Sequence, residues 1–236
     1  MTSKFGATQI GLVQFPGSNC DADCIDAFKR LFQIDLQLIW HEETSLPSRL
    51  QGLILPGGFS YGDYLRSGAL ASISPIMQAV KGFVGKGGSV IGICNGFQVL
   101  TESKLLPGAL LKNDSRKFIC EYAHLSVAGG DSVYHRKLKG SLYKVPIAHG
   151  EGRYYVDSEG LKKLGANGQI LFQYAGTDGV LSEASNPNGA ISHIAGIVSE
   201  NGRVLGMMPH PERASSELLG SADGQKILEA FLETVG

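Results

Sequence analysis

Residues 90–98 read Val-Ile-Gly-Ile-Cys-Asn-Gly-Phe-Gln and place Cys94 between an apolar run and an amphipathic stretch. The run at residues 90–93 predicts a buried strand, and a helix is predicted from about residue 95 to residue 103. Gly92 and Gly96 stand two positions before and after the cysteine. A G-x-C-x-G pattern between a strand and a helix is typical of a nucleophile elbow, a sharp turn that projects a reactive side chain. The partial positive charge at the helix N-terminus would favour the thiolate form of that side chain.

Short apolar runs and amphipathic stretches alternate on both sides of this turn, which predicts an α/β fold with a mostly parallel sheet flanked by helices. The predicted strands lie at residues 10–15, 36–40, 53–55, 90–93, 118–127, 142–148, 170–174, 190–198 and 204–208. Helices are predicted after the first strand, from Ser74-Pro75 onward, after Cys94, and over residues 221–235. No linker-like segment interrupts the chain, so residues 1–236 are predicted to form one domain.

Composition excludes several classes of protein. The net charge of −1 lacks the basic face that nucleic-acid binding needs, and the densest basic stretch, residues 136–139, is predicted to be a solvated loop. No apolar run approaches the roughly 18 residues that a membrane span requires. The first six residues are too polar for a signal peptide, so a cytoplasmic location is expected.

The four cysteines do not form a pattern typical of disulfides or zinc sites, and no metal site is expected. Cys20 and Cys24 are one helical turn apart and are predicted to be buried helix residues. Cys120 lies in an alternating segment and is predicted to be a small core residue. Only Cys94 has the surroundings of a nucleophile.

Acyl transfer from such a nucleophile needs hydrogen-bond donors for the oxyanion and a base for the thiol. The backbone N–H of Asn95 is one candidate donor, and Gly57-Gly58, which follow a buried strand, offer others. Two histidines have a glutamate two positions later, in His149-Gly150-Glu151 and His210-Pro211-Glu212. In an extended segment both side chains of such a pair point the same way.

The His210 pair is the preferred candidate for the catalytic base. Pro211 restricts the residue before it to an extended conformation, whereas Gly150 leaves the other pair flexible. His210 also follows a predicted strand that should end at the same edge of the sheet as Cys94.

Residues 92–98 resemble the G-x-C-x-G-x-Q motif of the triad-type (class I) glutamine amidotransferases, and His210-Pro211-Glu212 resembles their H-P-E motif. The resemblance implies a flavodoxin-like, three-layer α/β sandwich and the release of ammonia from glutamine through a cysteine thioester. It implies these roles: nucleophile for Cys94, base for His210, orienting carboxylate for Glu212, substrate contact for Gln98, and oxyanion hole for Gly57, Gly58 and Asn95.

Four further stretches are similar to the glutaminase-subunit family of phosphoribosylformylglycinamidine synthases, and they are residues 15–21, 57–66, 147–154 and 207–213. The family resemblance implies a large synthase subunit as partner, a small accessory subunit, and ATP and Mg²⁺ that the partner consumes. No cofactor is expected on this chain, which has no G-x-x-x-x-G-K-[ST] loop. His149 and Glu151 are predicted to bind substrate, although either could contact the partner instead.

Three other functions are weaker interpretations. Cysteine peptidases with this elbow often have histidine directly after the cysteine, where this chain has Asn95. A glutamine-sensing module would need neither the cysteine nor the His210–Glu212 pair. An amidotransferase subunit of another biosynthetic synthase is the remaining alternative. For any such subunit we expect low activity until the partner docks, with residues 59–71 and 149–155 as the expected contact surface.

Overall fold

A computed structural model of the chain describes residue 5 and residues 7–235. Nine strands form one sheet in the order β2-β1-β3-β4-β11-β10-β9-β6-β7, and β5 pairs with β8 in a small separate sheet. The strands are β1 (Ile10–Gln14), β2 (Gln37–Trp40), β3 (Gly52–Leu55), β4 (Ser89–Ile93), β5 (Ala109–Leu111), β6 (Ile119–Val127), β7 (Leu142–His149), β8 (Arg153–Tyr155), β9 (Ile170–Ala175), β10 (Ile194–Val198) and β11 (Val204–Met207).

The first five strands of this order, β2-β1-β3-β4-β11, are all parallel to their neighbours. Numbered along the chain they have the order 2-1-3-4-5, which is that of flavodoxin-like folds. The remaining four pair antiparallel, so that β10 and β6 run against the other seven strands. The prediction of a mostly parallel α/β sheet is therefore confirmed, with an antiparallel extension on one side.

Seven α-helices within the described residues flank the sheet and pack in separate groups. Phe28 of the first helix contacts Phe231 of the last, which also packs against α5, while α2 packs against α4. The helices are α1 (Asp21–Phe32), α2 (Ala69–Ser72), α3 (Ile76–Gly85), α4 (Asn95–Glu102), α5 (Val133–Leu138), α6 (Ser158–Ala166) and α7 (Gly224–Leu232). No helix within the described part of the chain is long and apolar enough to cross a membrane.

Several predictions from the sequence were wrong in the second half of the chain. The basic stretch at residues 136–139 is not a loop, because Ser132 caps a short helix, α5, that contains Arg136 and Lys137. The prediction for Cys120 was wrong, since its side chain is exposed on β6. The strand predicted from residue 190 begins only at Ile194, after a 3₁₀ turn.

The central strands β3, β4, β10 and β11 are buried along their whole length. Such strands read as continuous apolar runs rather than alternating ones. Since β1, β3, β4 and β11 are parallel, the segments that follow them meet at one edge of the sheet. This edge holds the Cys94 turn, the Gly57-Gly58 segment and His210.

Candidate active site

Cys94 occupies the sharp turn between β4 and α4. Its backbone has φ 50° and ψ −104°, a left-handed conformation that is costly for a residue other than glycine. The turn is held by a hydrogen bond from the Cys94 amide to the Met207 carbonyl at 2.8 Å. A Cβ atom on Gly92 would lie 2.7 Å from the Gly96 carbonyl oxygen, and one on Gly96 would lie 2.0 Å from the Leu55 oxygen. Both glycines are therefore required by close backbone contacts.

The predicted oxyanion donors lie beside this turn. Asn95 is the first residue of α4, so its backbone N–H has no partner within the helix. Gly58 has φ +134°, and a side chain there would collide with the backbone of Ser18 and Asn19. A Cβ atom on Gly57 would lie 2.8 Å from the His210 ring. The structure thus places Gly57 beside the imidazole and Gly58 in the wall of the cavity that Cys94 lines, and their role as oxyanion donors stays a prediction.

His210 and Glu212 form a buried pair, with His210 Nδ1 2.7 Å from Glu212 Oε1. The contact does not use the extended geometry that the Pro211 argument assumed. His210 has φ −102° and ψ 88°, and Pro211 then begins a 3₁₀ turn that folds Glu212 back toward the ring. The opposite ring nitrogen, Nε2, has no hydrogen-bond partner among the described residues.

The electrostatics of the pair favour a protonated imidazole. Burial alone would lower the pKa of His210, but the Glu212 carboxylate and the Cys94 sulfur raise that pKa well above its ordinary value. A cysteine thiolate next to an imidazolium is the ion pair that a cysteine nucleophile uses. Cys94 is only 5% exposed, and its sulfur donates a weak hydrogen bond to the Ala148 carbonyl oxygen at 3.7 Å.

The competing pair, His149 and Glu151, does not form. His149 Nδ1 lies 3.1 Å from Asn113 Oδ1, while Glu151 accepts a hydrogen bond from the Ser67 amide. Because an amide oxygen only accepts, Nδ1 of His149 carries the proton and Nε2 is an acceptor. Burial, followed by the charge of His210, lowers the pKa of His149 to about 4, so this ring is neutral at pH 7.

A cavity of about 130 Å³ opens against Cys94 and contains all three predicted substrate-binding residues, Gln98, His149 and Glu151. Gln98 Nε2 donates to the Glu151 carbonyl at 2.7 Å, and its Oε1 accepts from Asn95 Nδ2 at 2.9 Å. Gln98 therefore joins the elbow helix to the segment after β7. Its predicted contact with substrate stays a prediction.

Three neighbours of the site were not found from the sequence. Asp63 lines the cavity and accepts a weak hydrogen bond from Asn95 Nδ2 at 3.4 Å. Asn113 fixes the ring of His149. Arg213 reaches the sulfur of Cys20, and Cys20 Sγ, His210 and Glu212 place ligand atoms within 4.8 Å of one another. Such a cluster could bind a soft metal, so the expected absence of a metal site stays a prediction. Asp63 and Arg213 lie in family stretches recognised in the sequence, residues 57–66 and 207–213, and could have been singled out, whereas the contact of Asn113 depends on the fold.

The fold and the site together define a class: α/β enzymes that carry out acyl transfer with a cysteine nucleophile and a His–Glu pair. Residues 7–229 match the family of CobB/CobQ-like glutamine amidotransferase domains. The chain is 50% identical over 225 residues to the phosphoribosylformylglycinamidine synthase subunit PurQ of Sulfurimonas denitrificans, covering 95% of this chain and 99% of that protein. The PurQ subunit of Aquifex aeolicus is 52% identical over 219 residues, covering 92% and 96% of the two chains.

Among solved structures, the chain is similar to one in PurLQS from Thermotoga maritima, with a TM-score of 0.84 and 37% identity over 97% of this chain and 99% of that one. This chain belongs to the glutamine amidotransferase family and, within it, to the family of phosphoribosylformylglycinamidine synthase PurQ subunits.

Proposed function

We propose that this chain is the glutaminase subunit of a phosphoribosylformylglycinamidine synthase and supplies ammonia to a separate synthase subunit in purine biosynthesis. Its similarity to PurQ subunits extends over nearly the whole chain. This similarity favours the proposed function over that of an amidotransferase subunit of another biosynthetic synthase. The observation that carries the proposal is the placement of Cys94 and the His210–Glu212 pair at one edge of the sheet. The cytoplasm, where purine synthesis would use it, is the proposed location.

The reaction begins with glutamine in the cavity and its side-chain amide against the Cys94 sulfur. The thiolate adds to the amide carbon, and the carbonyl oxygen becomes an oxyanion that accepts hydrogen bonds from the N–H groups of Gly58 and Asn95. His210 then transfers its proton to the departing nitrogen. The carbon–nitrogen bond breaks, ammonia leaves, and a γ-glutamyl thioester remains on Cys94.

Water completes the reaction in the second half. His210, now neutral, accepts a proton from the water as its oxygen adds to the thioester carbon. The second oxyanion occupies the same hole, the carbon–sulfur bond breaks, and glutamate leaves with the thiolate restored. Glu212 keeps the imidazole in one orientation and stabilises its charged form in both halves.

The synthase subunit uses the ammonia, and ATP and Mg²⁺ are proposed to bind there and not on this chain. The similar structure from Thermotoga maritima is that of PurLQS, which supports an assembly of this chain with a large PurL-type subunit and a small third subunit. Measurable ATP binding by the isolated chain would contradict the nucleotide part of the proposal.

The deciding experiment mixes the chain with its candidate synthase subunits, ATP, Mg²⁺ and formylglycinamide ribonucleotide, and supplies either glutamine or ammonium. We expect Cys94→Ala to abolish turnover with glutamine and to retain turnover with ammonium. Cys120→Ala, a cysteine exposed on β6, is the matched control and should retain both activities. If the Cys94 variant still used glutamine, the proposed nucleophile would be wrong.

A further inference from the structure

The cavity beside Cys94 is lined by more hydrogen-bond acceptors than the triad chemistry uses. Its lining includes two acidic residues, Asp63 and Glu151. No lysine or arginine lines this cavity within the described part of the chain. A pocket with two carboxylates and no cation is complementary to a ligand group that is positively charged and rich in N–H donors.

The two carboxylates are held near each other by one short segment. Ser67 donates its backbone amide to Glu151 Oε2 at 3.3 Å and its hydroxyl to Asp63. Asp63 has a left-handed backbone with φ 55° and also contacts the Asn95 side chain. Burial raises the pKa of Asp63 to about 6, the Ser67 hydrogen bond opposes that rise, and Glu151 adds to it. The two carboxylates therefore repel each other when no cation lies between them.

We propose that Asp63, together with Glu151, binds the α-ammonium group of glutamine and selects substrates that carry it. This inference rests on the proposed function, since it concerns the substrate of the same cysteine. The amide end of glutamine must reach Cys94, which lines one part of the cavity, and the α-ammonium is the only cationic group of the substrate.

Loss of such a contact should reduce the preference for glutamine over an analogue without the α-amino group more than it reduces the rate of the chemical step. A binding site built around a charged hydrogen bond disfavours an analogue that lacks the matching group, because the carboxylate is then left without its partner. Glutaramic acid has the side-chain amide and the carboxylate of glutamine but no α-amino group. It therefore reports on the α-ammonium contact alone.

The test compares glutamine with glutaramic acid as substrates of the synthase complex, using wild type, Asp63→Asn and Asp63→Glu. Wild type should prefer glutamine, and Asp63→Asn should reduce that preference, measured as the ratio of kcat/KM values, by roughly 10- to 100-fold. The loss should appear mainly as a higher KM for glutamine. Asp63→Glu, which keeps the charge, should recover part of the preference. The exposed Asp35→Asn is the matched control and should change neither substrate.

An equal loss of kcat/KM for both substrates would overturn the proposal, because Asp63 would then act only by supporting the Asn95 side chain. An unchanged preference in Asp63→Asn would overturn it as well. If Asp63→Asn does not fold, Asp63→Glu decides, since a kcat/KM that falls equally for both substrates in that variant also excludes the subsite. These outcomes can be distinguished from a failure of the proposed function, because in that case the wild-type complex itself would release no ammonia from glutamine.

Discussion

The charge state of His210 depends on single neighbouring residues, and Glu212 is the one that raises its pKa most. The His210–Glu212 pair is almost fully buried, so each charge depends on the other for stabilisation. Glu212 Oε2 has no hydrogen-bond partner among the described residues, which leaves the bond to His210 as the main polar contact of this carboxylate. Removal of its negative charge should therefore lower the pKa of His210.

We predict that Glu212→Gln reduces kcat for glutamine hydrolysis by about 100-fold or more, because the imidazolium that protonates ammonia loses its stabilising charge. Steady-state kinetics of the complex measures this loss, and ammonium-dependent turnover should be retained. Glu217→Gln alters an exposed glutamate on a neighbouring turn and is the control. A Glu212 variant with normal kcat would exclude the assigned role of this carboxylate.

Asp63 gives a second prediction at this scale, on the pH dependence of stability. Its pKa is raised from 3.8 to about 6 through burial, with the Ser67 hydrogen bond opposing and Glu151 adding to the rise. The folded chain therefore binds more protons than the unfolded chain between about pH 4 and pH 6. Stability falls as pH rises through this window, and the ionised carboxylate remains destabilising above it.

Asp63→Asn should consequently raise the Tm by about 2–4 °C at pH 8, which corresponds to roughly 1 kcal/mol once solvent screening of this half-exposed group is allowed for. The gain should shrink toward pH 4, where the wild-type carboxyl is also neutral. Thermal denaturation at several pH values checks this, with Asp35→Asn as the exposed control. A gain that is constant across pH would show that the charge of Asp63 is not its cause.

The residues that could be predicted from the sequence are those whose chemistry is local. Cys94 is identified by its two flanking glycines, and His210 and Glu212 by a spacing of two. The contact from Asn113 to His149 joins positions 36 residues apart and has no local pattern. The sequence already favoured the His210 pair over the His149 pair, and the structure adds that Glu151 turns to Ser67 instead of His149.

At the scale of elements, the geometry of the site depends on how closely α4 approaches β3. The Gly96 Cα position lies against the Leu55 carbonyl, and a Cβ atom there would be 2.0 Å from that oxygen. Backbone atoms of a central strand cannot move aside without disturbing the β3–β4 pairing. The second glycine of the elbow therefore fixes the position of the whole helix as well as the shape of the turn.

Gly96→Ala should destabilise the chain by at least about 3 kcal/mol or prevent folding, because overpacking against backbone cannot be relieved by a change of rotamer. Gly82→Ala is the matched control, since Gly82 lies in α3 with nothing within 4 Å of the added methyl group. That variant should gain about 0.5–1 kcal/mol from helix propensity. Chemical denaturation of both variants measures the difference, and equal stabilities would contradict the close-approach argument.

The elements that sequence patterns predicted well are those with strong periodicity or long apolar runs, such as β4, β11 and α1. Two short strands were missed for a physical reason. The three-residue strands β5 and β8 pair only with each other, over residues 109–111 and 153–155, and neither run is distinctive alone. Cys120 was misplaced because alternation along β6 shows that one face is exposed without showing which residues lie on it.

At the scale of the whole molecule, one loop next to the active site exposes large apolar side chains. Tyr64 and Leu65 are 75% and 89% exposed, and Phe59 stacks on Phe118 at the wall of the cavity. Tyr61, Asp63 and Leu65 in this loop all have positive φ, a conformation that is costly for such residues. An exposed apolar loop that reaches the cavity fits the expected contact surface for the synthase subunit, at residues 59–71.

We predict that Leu65→Asp weakens docking of the synthase subunit, because a charge placed in an apolar contact must be desolvated on binding. The aspartate should not disturb the isolated chain, since aspartate tolerates the left-handed backbone of this position better than leucine does. Titration of the synthase with each variant should show a half-saturating concentration for glutamine-dependent turnover that is roughly 30-fold higher for Leu65→Asp. Leu218→Asp, an equally exposed leucine outside the two loops, should leave that concentration unchanged. If both variants gave the same half-saturating concentration, the docking surface would not lie at residues 59–71. If the isolated wild-type chain hydrolysed glutamine as fast as the complex does, gating by the partner would be excluded.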